Sequence, residues 1–221
     1  HIKNRDILTQ SVASAIGAMI TYLAYFFLWF GGAGDSPVSL IANLALARSG
    51  LVMGTFGNVS GVDRAAGLMA IKPSGVPYDD LRAEHIVAVS LSTGEVVGSD
   101  LRPSSDTPTH LELYRAFPSC GGVVHTHSES ATALAQAGLP VRCLGTTHAD
   151  HFRGDVPVTR ALTRKEVAKD YERMTGLVIV ETFRKKRLAP EEIAAVLVRS
   201  HGPFTWGQDA ARNEWRSWTF P

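Results

Sequence analysis

The strongest constraint on this chain lies in six residues, Val123-Val124-His125-Thr126-His127-Ser128. In an extended strand side chains alternate faces with a period of two, so His125 and His127 project from one side, as two ligands of one metal must. The pair alone leaves two readings open, a metal site or two histidines hydrogen-bonded at a strand edge. A catalytic zinc needs about three protein ligands and an open position for substrate. His201, in Ser200-His201-Gly202-Pro203 just after the apolar run from Ile193 to Val198, stands where a third ligand at a strand end would stand.

Composition limits what else such a chain can be. With 221 residues, 45% of them hydrophobic and 19% charged, it has material for one good-sized core. The formal net charge is +1, from 22 basic and 21 acidic residues, so no bulk charge is available to bind nucleic acid or an anionic membrane surface. Cys120 and Cys143 are the only cysteines, and they form no CxxC pair. That usage predicts reduced thiols in a cytoplasmic protein rather than a disulfide scaffold.

The first 37 residues differ from the rest. No charged residue occurs between Asp6 and Asp35, and residues 7–30 are apolar enough to be read as a membrane span. A secretory signal fits less well, because Asp6 offsets Lys3 and Arg5. The segment is therefore expected to be either a membrane anchor or sequence not native to the domain that follows, with a buried core helix as a third reading. Gly31-Gly32-Ala33-Gly34-Asp35-Ser36-Pro37 makes a break before a mixed α/β domain over residues 38–221.

Within that domain, helices are predicted over Ser39–Arg48, Thr107–Phe117, Ser130–Ala137 and Arg164–Met174, with Thr107 as capping hydroxyl and Pro108 at the first helical position. Strands are predicted over Leu51–Phe56, Gly67–Ile71, Ile86–Leu91, Glu95–Val97, Val123–His127, Leu177–Val180 and Ala194–Val198. Three loops, Gly57-Asn58, Ser74-Gly75 and Ser104-Ser105, combine small residues with hydrogen-bond donors, and Lys72 stands beside one of them. Any one of these is an ordinary turn. Together they suggest a cradle for a small phosphorylated substrate. Asp106 follows the serine pair, where it could ligate the metal, act as a base beside it, or cap the helix that starts at Thr107.

Six ordered blocks carry a resemblance. Gly57-Asn58-Val59-Ser60, Lys72-Pro73-Ser74-Gly75-Val76, Pro103-Ser104-Ser105-Asp106-Thr107-Pro108-Thr109-His110, His125-Thr126-His127-Ser128, Gly145-Thr146-Thr147-His148-Ala149-Asp150 and Ser200-His201-Gly202-Pro203-Phe204 make the chain similar to the class II aldolase and epimerase family, and within it to the L-ribulose-5-phosphate 4-epimerases. The resemblance implies a three-layer α/β/α fold around a central, mainly antiparallel sheet. It implies that Asp106, His125, His127 and His201 hold Zn2+, and that Gly57, Asn58, Ser74, Gly75, Ser104 and Ser105 hold the substrate and its phosphate. Asp150 then matches the family's acid/base aspartate, Glu172 matches another acidic position near the site, and a homotetramer with sites between neighbours is expected.

The implied reaction inverts C4 of L-ribulose 5-phosphate by breaking and remaking the C3–C4 bond, since the C4 hydrogen is not acidic. The alternatives are a class II sugar-phosphate aldolase of the L-fuculose-phosphate type, which typically has glutamate at the Asp106 position, and a non-catalytic truncated or membrane-tethered relative. The match dissolves after Ala211, before the tail that carries the family's catalytic tyrosine, so the domain is expected to be truncated at its C-terminus. His151, Arg153 and Arg199 also depart from the residues usual in the epimerases.

Overall fold

The computed structural model describes residues 36–208. The expectations for the apolar N-terminal segment and for residues 212–221 lie outside them. Among the described residues no helix is long and apolar enough to cross a membrane.

Helix α1, Ser36–Arg48, opens three residues before the predicted start and is followed by Gly50 at φ +76. Asn43 is fully buried within it and docks the helix on strand β1, Asn58–Asp63. Its Nδ2 donates to the Val59 carbonyl at 2.8 Å and its Oδ1 accepts the Val59 N–H at 2.9 Å. The amide thus satisfies both backbone groups of a residue lying just before the β2 pairing begins at Ser60.

Leu51–Phe56, predicted as a strand, is instead an irregular loop. The run is interrupted by Gly54 at φ +57 and closed by Gly57 at φ +78. A Cβ at Gly57 would fall 2.6 Å from Val52 Cγ1, so this turn requires glycine on two counts.

The remaining strands are β2 (Leu68–Ile71), β3 (Val87–Ser90), β4 (Val96–Val97), β5 (Gly122–His125), β6 (Ala195–Leu197) and β7 (Pro203–Gly207). They form one seven-stranded sheet in the order β4-β3-β2-β1-β5-β7-β6, antiparallel at every step. Period-two alternation builds the layers. Val59 and Val124 face Ala42 and Leu46 of α1. On the opposite face, Met69, Ile71, Val87, Val89 and Val123 pack against α2 (Thr107–Ala116), α3 (Glu129–Ala137) and α5 (Arg164–Lys186), through Leu113, Tyr114, Ala135, Ile179 and Phe183. Helices therefore cover both faces of an antiparallel sheet, the three-layer arrangement expected. A short helix α4, Thr146–Ala149, lies between α3 and α5.

Leu177–Val180 is a second correction, because it forms part of α5 rather than a strand. A short apolar, β-branched run does not distinguish strand from buried helix, and here the helix context decides. The run starts at a capping box between Thr163 and Glu166, is interrupted once at Asp170, and then meets no stop before Arg187 at φ 54. Gly176 lets α5 lie against α2, since a Cβ there would meet Glu112 Cβ at 2.7 Å and the Thr109 carbonyl at 3.0 Å. α5 is two helices in sequence, because Asp170 breaks it at φ −169, ψ 82. At the start of α2, Asp106 rather than Thr107 occupies the capping position and makes no side-chain cap bond, while the Thr107 hydroxyl donates to the Ser104 carbonyl at 2.6 Å.

Candidate metal centre and active site

Strand β5 ends at His125, so His127 lies just past it rather than within it. The extended path continues far enough to keep both rings on one side, with Nε2 atoms 3.1 Å apart. His201 is brought in by the turn joining β6 to β7. That turn carries Ser200 at φ +66, and Gly202 there approaches the Thr126 carbonyl so closely that a Cβ would stand 2.9 Å from it. His201 Nε2 lies 3.1 Å from His127 Nε2, and the donor atoms of the three rings are all within 4.8 Å of one another. Tetrahedral zinc with bonds of 2.0–2.1 Å sets neighbouring nitrogens about 3.3 Å apart.

The other ring nitrogens show which tautomers are held. His125 Nδ1 lies 2.9 Å from the Pro203 carbonyl, which only accepts, so Nδ1 carries the proton and Nε2 turns a lone pair toward its neighbours. The same ring stacks on Phe204, its register partner on β7, at 4.1 Å between centroids. His201 Nδ1 lies 2.9 Å from the hydroxyl of Tyr171. Burial lowers the pKa of His125, and burial with the neighbouring His125 and His127 lowers that of His201 to about 4. Both rings are neutral at pH 7, the form that binds metal. Three imidazole nitrogens converging at these distances fit a divalent ion.

Asp106 borders the same cleft, and its Oδ2 accepts the Asn58 amide at 2.7 Å. Burial alone would raise its pKa, but His125, His110 and the Asn58 hydrogen bond outweigh that and hold the carboxyl below its ordinary range. The converging donor set consists of the three histidines, with Asp106 beside it and engaged by Asn58. Asn58 Oδ1 is buried and has no partner among the described residues, leaving an acceptor for a ligand.

The cleft holds about 280 Å3, and Gly57, Asn58, Ser74, Gly75, Ser104 and Ser105 line it together with the three histidines, Lys72, Tyr171 and Glu172. Lys72 is 2% exposed. Its ammonium donates to the Val76 carbonyl at 2.7 Å and lies 4.8 Å from the centre of the Tyr78 ring. Burial lowers its pKa. All the predicted metal and substrate residues thus meet in one place. Asp150 does not join them. It is exposed at the C-terminal end of α4, its N–H bonded to the Thr146 carbonyl at 2.8 Å, and it is absent from the cleft wall.

Tyr171 is the site residue that sequence reasoning missed. The signal was Asp170, a capping residue type inside a helical run. Its Oδ1 accepts the Arg173 N–H at 3.3 Å, so a new helix begins there with Tyr171 and Glu172 in its first turn. Burial raises the pKa of the Tyr171 hydroxyl, keeping it protonated. A larger, mostly apolar cleft of about 650 Å3 near α3 and α4 contains none of the metal ligands, so donor geometry rather than size picks the site.

Comparison with known proteins shows what the chain as a whole is similar to. An L-fuculose 1-phosphate aldolase is 28% identical over 80% of this chain and 77% of its own, with a TM-score of 0.64. YgbL from Escherichia coli is 25% identical, covering 82% of this chain and 84% of its own at TM-score 0.62. The L-fuculose-1-phosphate aldolase of Thermus thermophilus is 26% identical over 78% of each chain at TM-score 0.60. Residues 40–220 match the family described as class II aldolase and adducin N-terminal domain, and the chain belongs to that family.

Proposed function

We propose that this chain is a zinc-dependent sugar-phosphate enzyme that breaks and remakes the carbon–carbon bond between the α and β carbons of a ketone. We further propose that its reaction is the C4 epimerisation of L-ribulose 5-phosphate to D-xylulose 5-phosphate. The observation that carries the reading is one cleft with three converging imidazoles and, on the same wall, a buried lysine among small-residue loops. Zinc suits the all-nitrogen donor set and supplies Lewis acidity to a carbonyl and its neighbouring hydroxyl.

The rest is done by the chain's own residues. Ser74, Gly75, Ser104 and Ser105 offer hydroxyl and N–H donors to a phosphate, and Lys72, whose ammonium donates to the Val76 carbonyl, adds positive charge. Asn58 Oδ1 accepts a substrate hydroxyl, and its amide fixes Asp106 as an ionised neighbour of the histidines. The proton on the C4 hydroxyl must leave as the C3–C4 bond breaks and return when the aldehyde, turned to its other face, is attacked again. No oxidant or second substrate is consumed. Asp150 is the group proposed to move that proton. Since Asp150 lies outside its own chain's cleft, the role requires a neighbouring copy, which the expected homotetramer supplies.

Cleavage without rejoining is the second reading, favoured by the two L-fuculose 1-phosphate aldolases at 28% and 26% identity. Asp106 at the position where such aldolases typically carry glutamate favours the epimerase. Zinc-loaded protein given each sugar phosphate separately decides between them. Conversion of L-ribulose 5-phosphate to D-xylulose 5-phosphate supports epimerisation. Brisk cleavage of L-fuculose 1-phosphate with L-ribulose 5-phosphate untouched overturns it.

A further inference from the structure

The three imidazoles are held in three different ways. His125 is tied through Nδ1 to a backbone carbonyl of β7, so the sheet itself sets its angle. His127 meets the exposed ring of Phe56 at 6.0 Å between centroids. His201 sits on a strained turn, after Ser200 at φ +66, and its Nδ1 faces a side chain, the Tyr171 hydroxyl at 2.9 Å.

The placement of that hydroxyl is specific. A continuous helix from Arg164 would carry the backbone through residue 170 without a break. Here Asp170 is extended, and its carboxylate caps a fresh helix through the Arg173 N–H. Tyr171 is the first residue beyond the break, and farther along the new helix Gly176 lets it close on α2. Sequence, break and close packing thus converge on one hydrogen bond. A ring whose Nε2 binds a metal carries its proton on Nδ1, and the partner of that proton sets ring orientation and ligand basicity.

We propose that Tyr171 is a positioning residue of the metal centre, accepting the His201 Nδ1–H so that Nε2 is held toward the ion, with the break at Asp170 serving to deliver it. The inference rests on the metal-centre reading above. It adds that affinity for the ion is set partly from outside the ligand set, by the first turn of a helix.

Tyr171→Phe removes the hydroxyl and keeps the ring. Zn2+ alone, titrated into metal-free protein against a competing chelator, should bind about tenfold to hundredfold more weakly to the variant, the range typical of lost partners to metal-bound histidines. A residue acting only on general packing would lower affinity by the same factor whether or not His201 is present. The decisive comparison is therefore the double-mutant cycle with His201→Ala, in which Tyr171→Phe should have no further effect. Circular dichroism of the metal-free forms should be unchanged. Equal Kd values in the unmodified chain and Tyr171→Phe, or the same fold loss in the His201→Ala background, overturn the role of Tyr171 while leaving the metal centre intact. Failure of the unmodified chain to bind Zn2+ overturns both.

Discussion

The metal end of the cleft and the acid/base residue assigned to it are built differently. Around the histidines, strand register, a ring stack, a backbone carbonyl and a tyrosine fix each neighbour within one chain. Asp150, for which the acid/base role is proposed, instead sits exposed at the end of a four-residue helix, outside the cleft. Under the proposed roles the contrast separates binding from turnover: the ion would be held by what one chain folds, whereas proton transfer would depend on what approaches that chain. Mutations at the two ends should therefore move different observables.

The largest effect is expected where the two ends are most separable. Asp150→Asn should reduce turnover by about 10²- to 10⁴-fold while zinc content is unchanged, the range for loss of one proton-transfer group. An equal loss of zinc would join the two regions and break the comparison. The phosphate wall comes next. Lys72→Met removes a buried charge from the cleft and should raise KM for a phosphorylated sugar about tenfold to hundredfold, corresponding to about 1.5–3 kcal/mol for a hydrogen bond to a charged group. The unphosphorylated sugar should show no such difference between the two proteins.

A smaller effect is expected from the loop that leads into that wall. Gly57→Ala must adopt φ near +78 and meet Val52 Cγ1, which should cost about 1–3 kcal/mol of stability by denaturant titration. The smallest effect, read per pH unit, concerns His110, fully buried beneath the site, with Nδ1 2.7 Å from the Ser60 hydroxyl. Burial lowers its pKa from 6.5 to about 3. The folded chain holds it neutral while the unfolded chain takes up the proton first, so its contribution is complete above pH 6.5 and is lost as pH falls toward 3. His110→Gln should flatten the decline of metal-free stability over that interval by up to about 1.4 kcal/mol per pH unit. An unchanged slope would mean that the ring is charged in the fold.

What the sequence made legible follows from which signals are local. His125 and His127 could be read as a pair because the strand period is a backbone property, and the ordered blocks brought His201 and the donor loops into one expectation that the cleft matches. The three layers were expected only through the resemblance, because Met69, Ala70 and Ile71 form an unbroken apolar run in sequence, and only the structure shows Ala70 facing one layer and its neighbours the other. Residues whose role depends on distant packing escaped. Leu177–Val180 reads equally as strand or buried helix until the helix that restarts at Asp170 and runs without a stop to Arg187 decides it. Tyr171 gains meaning only when a break at Asp170 turns it toward a histidine 30 positions later. The Leu51–Phe56 loop lost its predicted strand to two glycines whose positive φ no apolar pattern reveals.

The central claim is that His125, His127 and His201 hold one metal ion, and its most direct test is the zinc content of purified protein with and without one ligand. The unmodified chain should retain about one zinc per chain through gel filtration. His127→Ala should retain none and remain folded, because His127 lies past the end of β5 and outside the buried core. Equal zinc in the two proteins, or none in either, would contradict the account.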